Sequence, residues 1–205
     1  MQYYELTTLS TVIFGPAKAA PAIKDWVGAP DARGKLFGAW FSDIGHLNQV
    51  YLLRGFDSID EMMTERERAL RAPDAFGCGD LLTDLSMESY KSLDFLPPVE
   101  AGAFGPFYEI RTYPLAHGGL MPTTEKWAAT IPARAEYSKL TVAMYSLDGI
   151  PRLTQIWPYS SLEARAKARA ESVADGHWPP KGGPDWLGAA MTSTIALPLG
   201  FSPLT

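Results

Sequence analysis

Two glutamates at matching places in strand-like segments are the first candidates for chemistry in this chain. Glu5 lies in Tyr3-Tyr4-Glu5-Leu6, and Glu109 in Phe107-Tyr108-Glu109-Ile110-Arg111-Thr112-Tyr113. Side chains alternate across a strand, so Tyr3, Glu5 and Thr7 share one face. Phe107, Glu109, Arg111 and Tyr113 share the equivalent face of the second segment. With Tyr4, Leu6, Tyr108 and Ile110 turned toward helices, Glu5, Glu109, Arg111 and Tyr113 are expected to point into an interior. Two carboxylates and one arginine there would suffice for acid–base work on a small polar molecule. The same residues would also serve as a Glu109–Arg111 pair that only fixes the strands.

A second candidate group lies in one turn. Asp43 and His46 flank Gly45, with Trp40 close by. A carboxylate can orient a histidine as a general base, and a solvated turn accounts for the same residues. Asn48 and Gln49 follow, as amides for the mouth of a cavity or for a sheet edge. Arg66 and Arg169 fall within the apolar stripes of two helical segments. Each is expected either to contact an anion or to lie over the core with its head paired. Trp178 and Trp186 bracket a Pro/Gly-rich loop suited to covering an opening.

Other chemistries find no support. His46, His117 and His177 lack metal-ligand spacing, so no metal site is expected. A single histidine leaves no spacing signature, so haem stays open as the one cofactor the pattern does not exclude. Gly118-Gly119 and Gly182-Gly183 lack the residues of a nucleotide-binding loop. Cys78 is the sole cysteine and admits no intrachain disulfide; it sits in Phe76-Gly77-Cys78-Gly79, which reads as flexible. A net charge of −5 without a basic stripe argues against a nucleic-acid partner. No apolar run reaches membrane-spanning length and no signal peptide is apparent, so a soluble cytoplasmic protein is expected.

The elements that must position these residues occur twice. Tyr4-Glu5-Leu6 returns as Tyr108-Glu109-Ile110, and Ala39 to Ile59 lies over Val142 to Leu162 without a gap. Ser86-Met87 and Ser89 return as Ala190-Met191 and Ser193. The period, about 100 residues, is that of a small domain rather than of a solenoid repeat. Residues 1–99 form the first repeat, 100–106 a linker and 107–205 the second.

Each repeat reads as strand, helix, strand, strand, helix, strand. In the first, strands are expected over 3–9, 36–42, 47–56 and 87–95. Helices run over 15–26 and onward from Asp57-Ser58, whose Asp60 and Glu61 suit a helix start. Ile59, Met62, Met63, Ala69 and Leu70 form that helix's apolar stripe. In the second, strands cover 107–113, 140–146, 153–159 and 191–199. Its helices run over 119–130 and onward from Ser160-Ser161. Each βαββαβ unit is a ferredoxin-like fold with helices on one face of its sheet. Packing the two sheets face to face buries the other face. The expected fold is an α+β protein of two tandem ferredoxin-like repeats forming an intramolecular dimeric α+β barrel.

The chain resembles the NIPSNAP family of the dimeric α+β barrel superfamily. The resemblance rests on Tyr108 to Tyr113, Leu47-Asn48-Gln49-Val50 and Phe201-Ser202-Pro203-Leu204. It rests also on Trp157-Pro158-Tyr159-Ser160-Ser161-Leu162-Glu163 with Arg165 and Arg169. It implies the barrel and leaves two functional readings. One is a small-molecule enzyme or binding barrel for a polar or aromatic metabolite, using acid/base side chains without a metal or nucleotide cofactor. The other is a non-catalytic interaction or adaptor module. A homo-oligomer would form through the barrel exterior. The hairpin and the Trp178–Trp186 loop differ between repeats, so one asymmetric site is expected rather than two.

Overall fold

The computed structural model describes residues 1–205, apart from the side chain of Pro184. The first repeat runs β1 (Tyr3–Thr11), α1 (Gly15–Val27), β2 (Lys35–Ile44), β3 (Gln49–Phe56), α2 (Ile59–Arg71) and β4 (Leu82–Ser92). The second runs β5 (Phe107–Pro114), α3 (Leu120–Ala135), β6 (Val142–Ser146), β7 (Arg152–Tyr159), α4 (Leu162–Ala174) and β8 (Thr192–Pro198). Ser58 and Ser161 cap α2 and α4 alike, each hydroxyl accepting from the backbone N–H three residues on, Glu61 and Ala164.

The eight strands close into one antiparallel barrel in the order β1-β3-β2-β8-β5-β7-β6-β4. Exchanging each strand for its counterpart returns the same circular order. The repeats are therefore related by an approximate twofold along the barrel axis, and both hairpin turns lie at one end. Within a repeat, the first strand pairs with the third and the fourth, as Glu5 does with Arg54 and Ser89. Between repeats, β2 pairs with β8 and β4 with β6, which leaves no free sheet edge.

Most element limits shift by one to five residues from the pattern, and three of the shifts are informative. β4 begins at Leu82, because Leu82 to Met87 pairs with Thr7 to Thr11 although its Thr83, Asp84 and Ser86 are polar. β3 begins at Gln49, since Asn48 takes a left-handed φ of 59° in the turn. α3 continues through Pro132 to Ala135. The buried face of α2 is Met62, Glu65 and Ala69, while Ile59, Met63 and Leu70 are exposed.

The main correction concerns the strand faces. Tyr4, Leu6, Tyr108 and Ile110 point into the barrel, where they pack with Trp40, Leu53, Met144 and Ile156. Glu5, Glu109, Arg111 and Tyr113 lie on the outer face, beneath the helices. The physical reason is pairing. A buried carboxylate needs cations, and the helices supply them from outside while the lumen at this level is apolar. Val99, at the end of the first repeat, and Leu204, near the C-terminus, plug this end of the barrel.

Candidate functional site

The first repeat binds its glutamate into a closed ionic network. Glu5 and Glu65 are fully buried, and Arg54, 2% exposed, donates to both. Arg66 Nε donates to Glu5 Oε2 at 2.9 Å, and Arg68 forks onto Glu65. Arg66 is thus a structural partner of Glu5. Around this network Leu9, Ala19, Ile23, Val50, Leu52, Phe76 and Cys78 form one continuous core. Cys78 is buried; burial, reinforced by Asp74, pushes its thiol up to about 11.

The second repeat changes the same surface. Thr7 is replaced by Arg111, Leu9 by Tyr113, Leu52 by Gln155, Arg54 by Trp157, Met62 by Arg165 and Glu65 by Ala168. Glu109, fully buried, accepts from Arg111 Nη1, from Arg165 Nη2 at 2.5 Å and from Ser193 Oγ at 2.7 Å. Arg169 stands 3.8 Å away. Burial works against the Glu109 charge. The Arg165 hydrogen bond, the charge of Arg111 and the Ser193 hydroxyl outweigh it and hold the carboxyl at about 2. A carboxylate so stabilised is a poor general base near neutral pH.

Tyr113 extends this network to a cavity. Arg111 Nε donates to the Tyr113 hydroxyl at 2.6 Å. Tyr113 also lines a cavity of about 190 Å³ with Trp127, Trp178, Pro180, Leu187 and Met191. The edge of Trp127 meets Trp178 at 5.1 Å between ring centres, and Trp178 stacks edgewise on Trp157 at 6.1 Å. The loop bracketed by Trp178 and Trp186 therefore forms part of the cavity wall. Its counterparts in the first repeat are the short helical turns Ala75–Gly77 and Gly79–Leu81. There Phe76 packs on Trp26 and Arg54, with no exposure.

The hairpin residues scatter. Trp40 is wholly buried in the barrel, its ring 5.1 Å from that of Tyr108. Asp43 and His46 are both exposed, and no hydrogen bond joins them among the described residues. Asp43 borders an outer hollow with Phe14 and Leu47. Asn48 is a turn residue whose Oδ1 accepts from Phe14 N. His46 and Gln49 line the open end of the barrel, a polar mouth of about 280 Å³ with Thr8, Asp84, Glu88 and Thr112. Gln49 Nε2 donates to Ser10 Oγ, and its Oε1 accepts from Tyr51 OH.

The structure thus joins Glu109, Arg111 and Arg169 in one ionic cluster that meets the cleft at Tyr113, and separates them from Trp40, Asp43, His46, Asn48 and Gln49. No sequence motif marks Trp127, Leu187, Met191 or Arg165 as site residues. Comparison of the repeats carries a signal for Arg165, which replaces a buried methionine. Among the described residues, no three His, Cys, Asp or Glu side chains gather as a metal site, and no helix is long and apolar enough to cross a membrane.

Solved structures reproduce the whole barrel at low identity. An anthrone oxidase-like protein is 11% identical, with a TM-score of 0.70 over 97% of this chain and 91% of its own. A NIPSNAP family protein from Agrobacterium tumefaciens is 28% identical over 52% of this chain and all of its own, with a TM-score of 0.45. A NIPSNAP domain protein from Burkholderia xenovorans is 20% identical over 46% of this chain and 96% of its own, with a TM-score of 0.43. No curated protein matches the chain. The NIPSNAP family model matches residues 4–77 and 108–203, covering most of both repeats. The chain belongs to the NIPSNAP family.

Proposed function

We propose that the chain binds a small, flat, largely apolar molecule in the cleft beneath the Trp178–Leu187 segment. The observation that carries this reading is the contrast between repeats. Phe76 and Cys78 close the first into a continuous core, whereas Tyr113, Trp127 and Trp178 line a cavity in the second. Its volume, about 190 Å³, suits one aromatic ring with substituents, since an apolar cavity of about 150 Å³ admits benzene. The reading calls for no metal or nucleotide cofactor. Ligand-observed NMR with benzyl alcohol tests it. Saturable binding is expected for the wild type and loss of binding for Leu187→Trp, which fills the cavity. Absence of binding at millimolar probe, or equal binding by the filled variant, would refute the reading.

An interaction role has its own support. Ile13, Phe14, Ile44 and Leu47 are exposed together at the hairpin end, with Phe14 76% exposed and at a φ of 60°. Such an apolar patch suits contact between copies of the chain. Sedimentation of wild type against Phe14→Ser/Leu47→Ser decides it. Self-association abolished by the pair supports the role, and a monomeric wild type removes it.

A further inference from the structure

The two repeats carry unlike charge balances behind equivalent strands. In the first, Arg54, Arg66 and Arg68 meet Glu5 and Glu65, with Asp148 and Asp31 reaching Arg66 and Arg68 from outside. Carboxylates there are at least as numerous as the arginines. In the second, Glu109 is the sole carboxylate in ion-pair contact with Arg111, Arg165 and Arg169 among the described residues. Arg134 adds a fourth guanidinium. It is 2% exposed and rests on the faces of Trp157 and Trp178, 4.7 and 5.8 Å from the ring centres. Among the described residues, buried guanidinium nitrogens without a hydrogen-bond partner occur in both repeats, Arg134 Nε and Arg165 Nε in the second and Arg54 Nε and Arg66 Nη2 in the first. Arg134 is desolvated without a carboxylate in ion-pair contact, and Arg111, Arg165 and Arg169 share one carboxylate, so the cluster carries positive charge in excess, which is costly to bury.

The excess charge adjoins the cavity through one residue. Tyr113 lines it, and its hydroxyl oxygen already accepts from Arg111. The phenol proton is therefore free to donate to a ligand oxygen, and the guanidinium behind it strengthens that donation. We infer that the ligand is a single-ring aromatic acid. Its ring lies among Trp127, Trp178 and Leu187, and its carboxylate meets the Tyr113–Arg111 end of the cleft, compensated by Arg165. This rests on the cavity reading above and adds the oxyanion to it.

The test compares benzoate, benzyl alcohol and inorganic phosphate on the full chain and on Arg111→Thr/Arg165→Met. Both substitutions install the residue that the first repeat carries at the same position, Thr7 and Met62. Wild type is expected to bind benzoate at least about tenfold tighter than benzyl alcohol, the scale of one charge-assisted hydrogen bond. The double variant should lose that preference and bind benzyl alcohol within about twofold of wild type. Arg165→Met alone, expected to weaken benzoate and spare benzyl alcohol, serves if the double variant does not fold. Equal affinity for the two ring compounds overturns the inference and leaves the cavity reading standing. Phosphate binding as tight as benzoate also overturns it, leaving a bare anion site. Failure of both ring compounds overturns the inference and the cavity reading together.

Discussion

Arg54 Nη1 donates to Glu65 Oε1 at 2.7 Å, and its other terminal nitrogen reaches Glu5, so one arginine of β3 bridges two fully buried carboxylates. Breaking a buried pair leaves an uncompensated charge, at a cost of about 3–5 kcal/mol. Arg54→Met is therefore expected to lower stability by at least that range in urea unfolding. Arg111→Thr should cost clearly less, because Glu109 keeps Arg165 and Ser193. Equal losses in the two variants would contradict this network.

Glu109 makes a pH-dependent contribution. Its carboxyl sits at about 2 in the folded chain against 4.5 ordinarily. A depressed acid stabilises the fold above its ordinary value, and the contribution vanishes as pH falls through the folded one. The loss therefore spans 4.5 down to about 2. Its size is on the order of 3 kcal/mol, from about 1.36 kcal/mol per pKa unit. Urea midpoints measured over this window should fall less steeply for Glu109→Gln than for wild type. Parallel profiles would argue against it.

The thiol of Cys78 should be inert in the native state. It is buried among Phe76 and its neighbours and pushed up to about 11. Thiolate is the reactive species. Ellman's reagent at pH 8 is expected to label the chain only after denaturation, and rapid labelling of folded protein would refute the placement.

Phe76 closes the first repeat as Trp178 walls the second. It is wholly buried, with a φ of 58° that favours glycine. Phe76→Ala should cost about 3–5 kcal/mol, as large-to-small core changes do. Thermal melts test this, and a near-neutral result would mean the first repeat repacks freely.

The fold was legible in the sequence because duplication repeats its evidence. The gapless match of Ala39–Ile59 to Val142–Leu162, with two βαββαβ patterns, determined the order of elements, the barrel and the family. Alternation also grouped Glu109, Arg111 and Tyr113 on one face. It did not decide which face the helices cover, since both faces are buried and the polar one, with Glu5, Thr7 and Glu109, is the one beneath the helices. That choice came from tertiary pairing. Arg66, Arg165 and Arg169 reach the glutamates only when α2 and α4 lie over the strands, and Tyr4 and Tyr108 then fill the lumen. The cleft was hidden for a similar reason. Trp127, Trp178, Leu187 and Met191 lie far from Tyr113 in sequence, and only the packing of α3 and the Trp178–Leu187 segment against β5 brings them to one cavity.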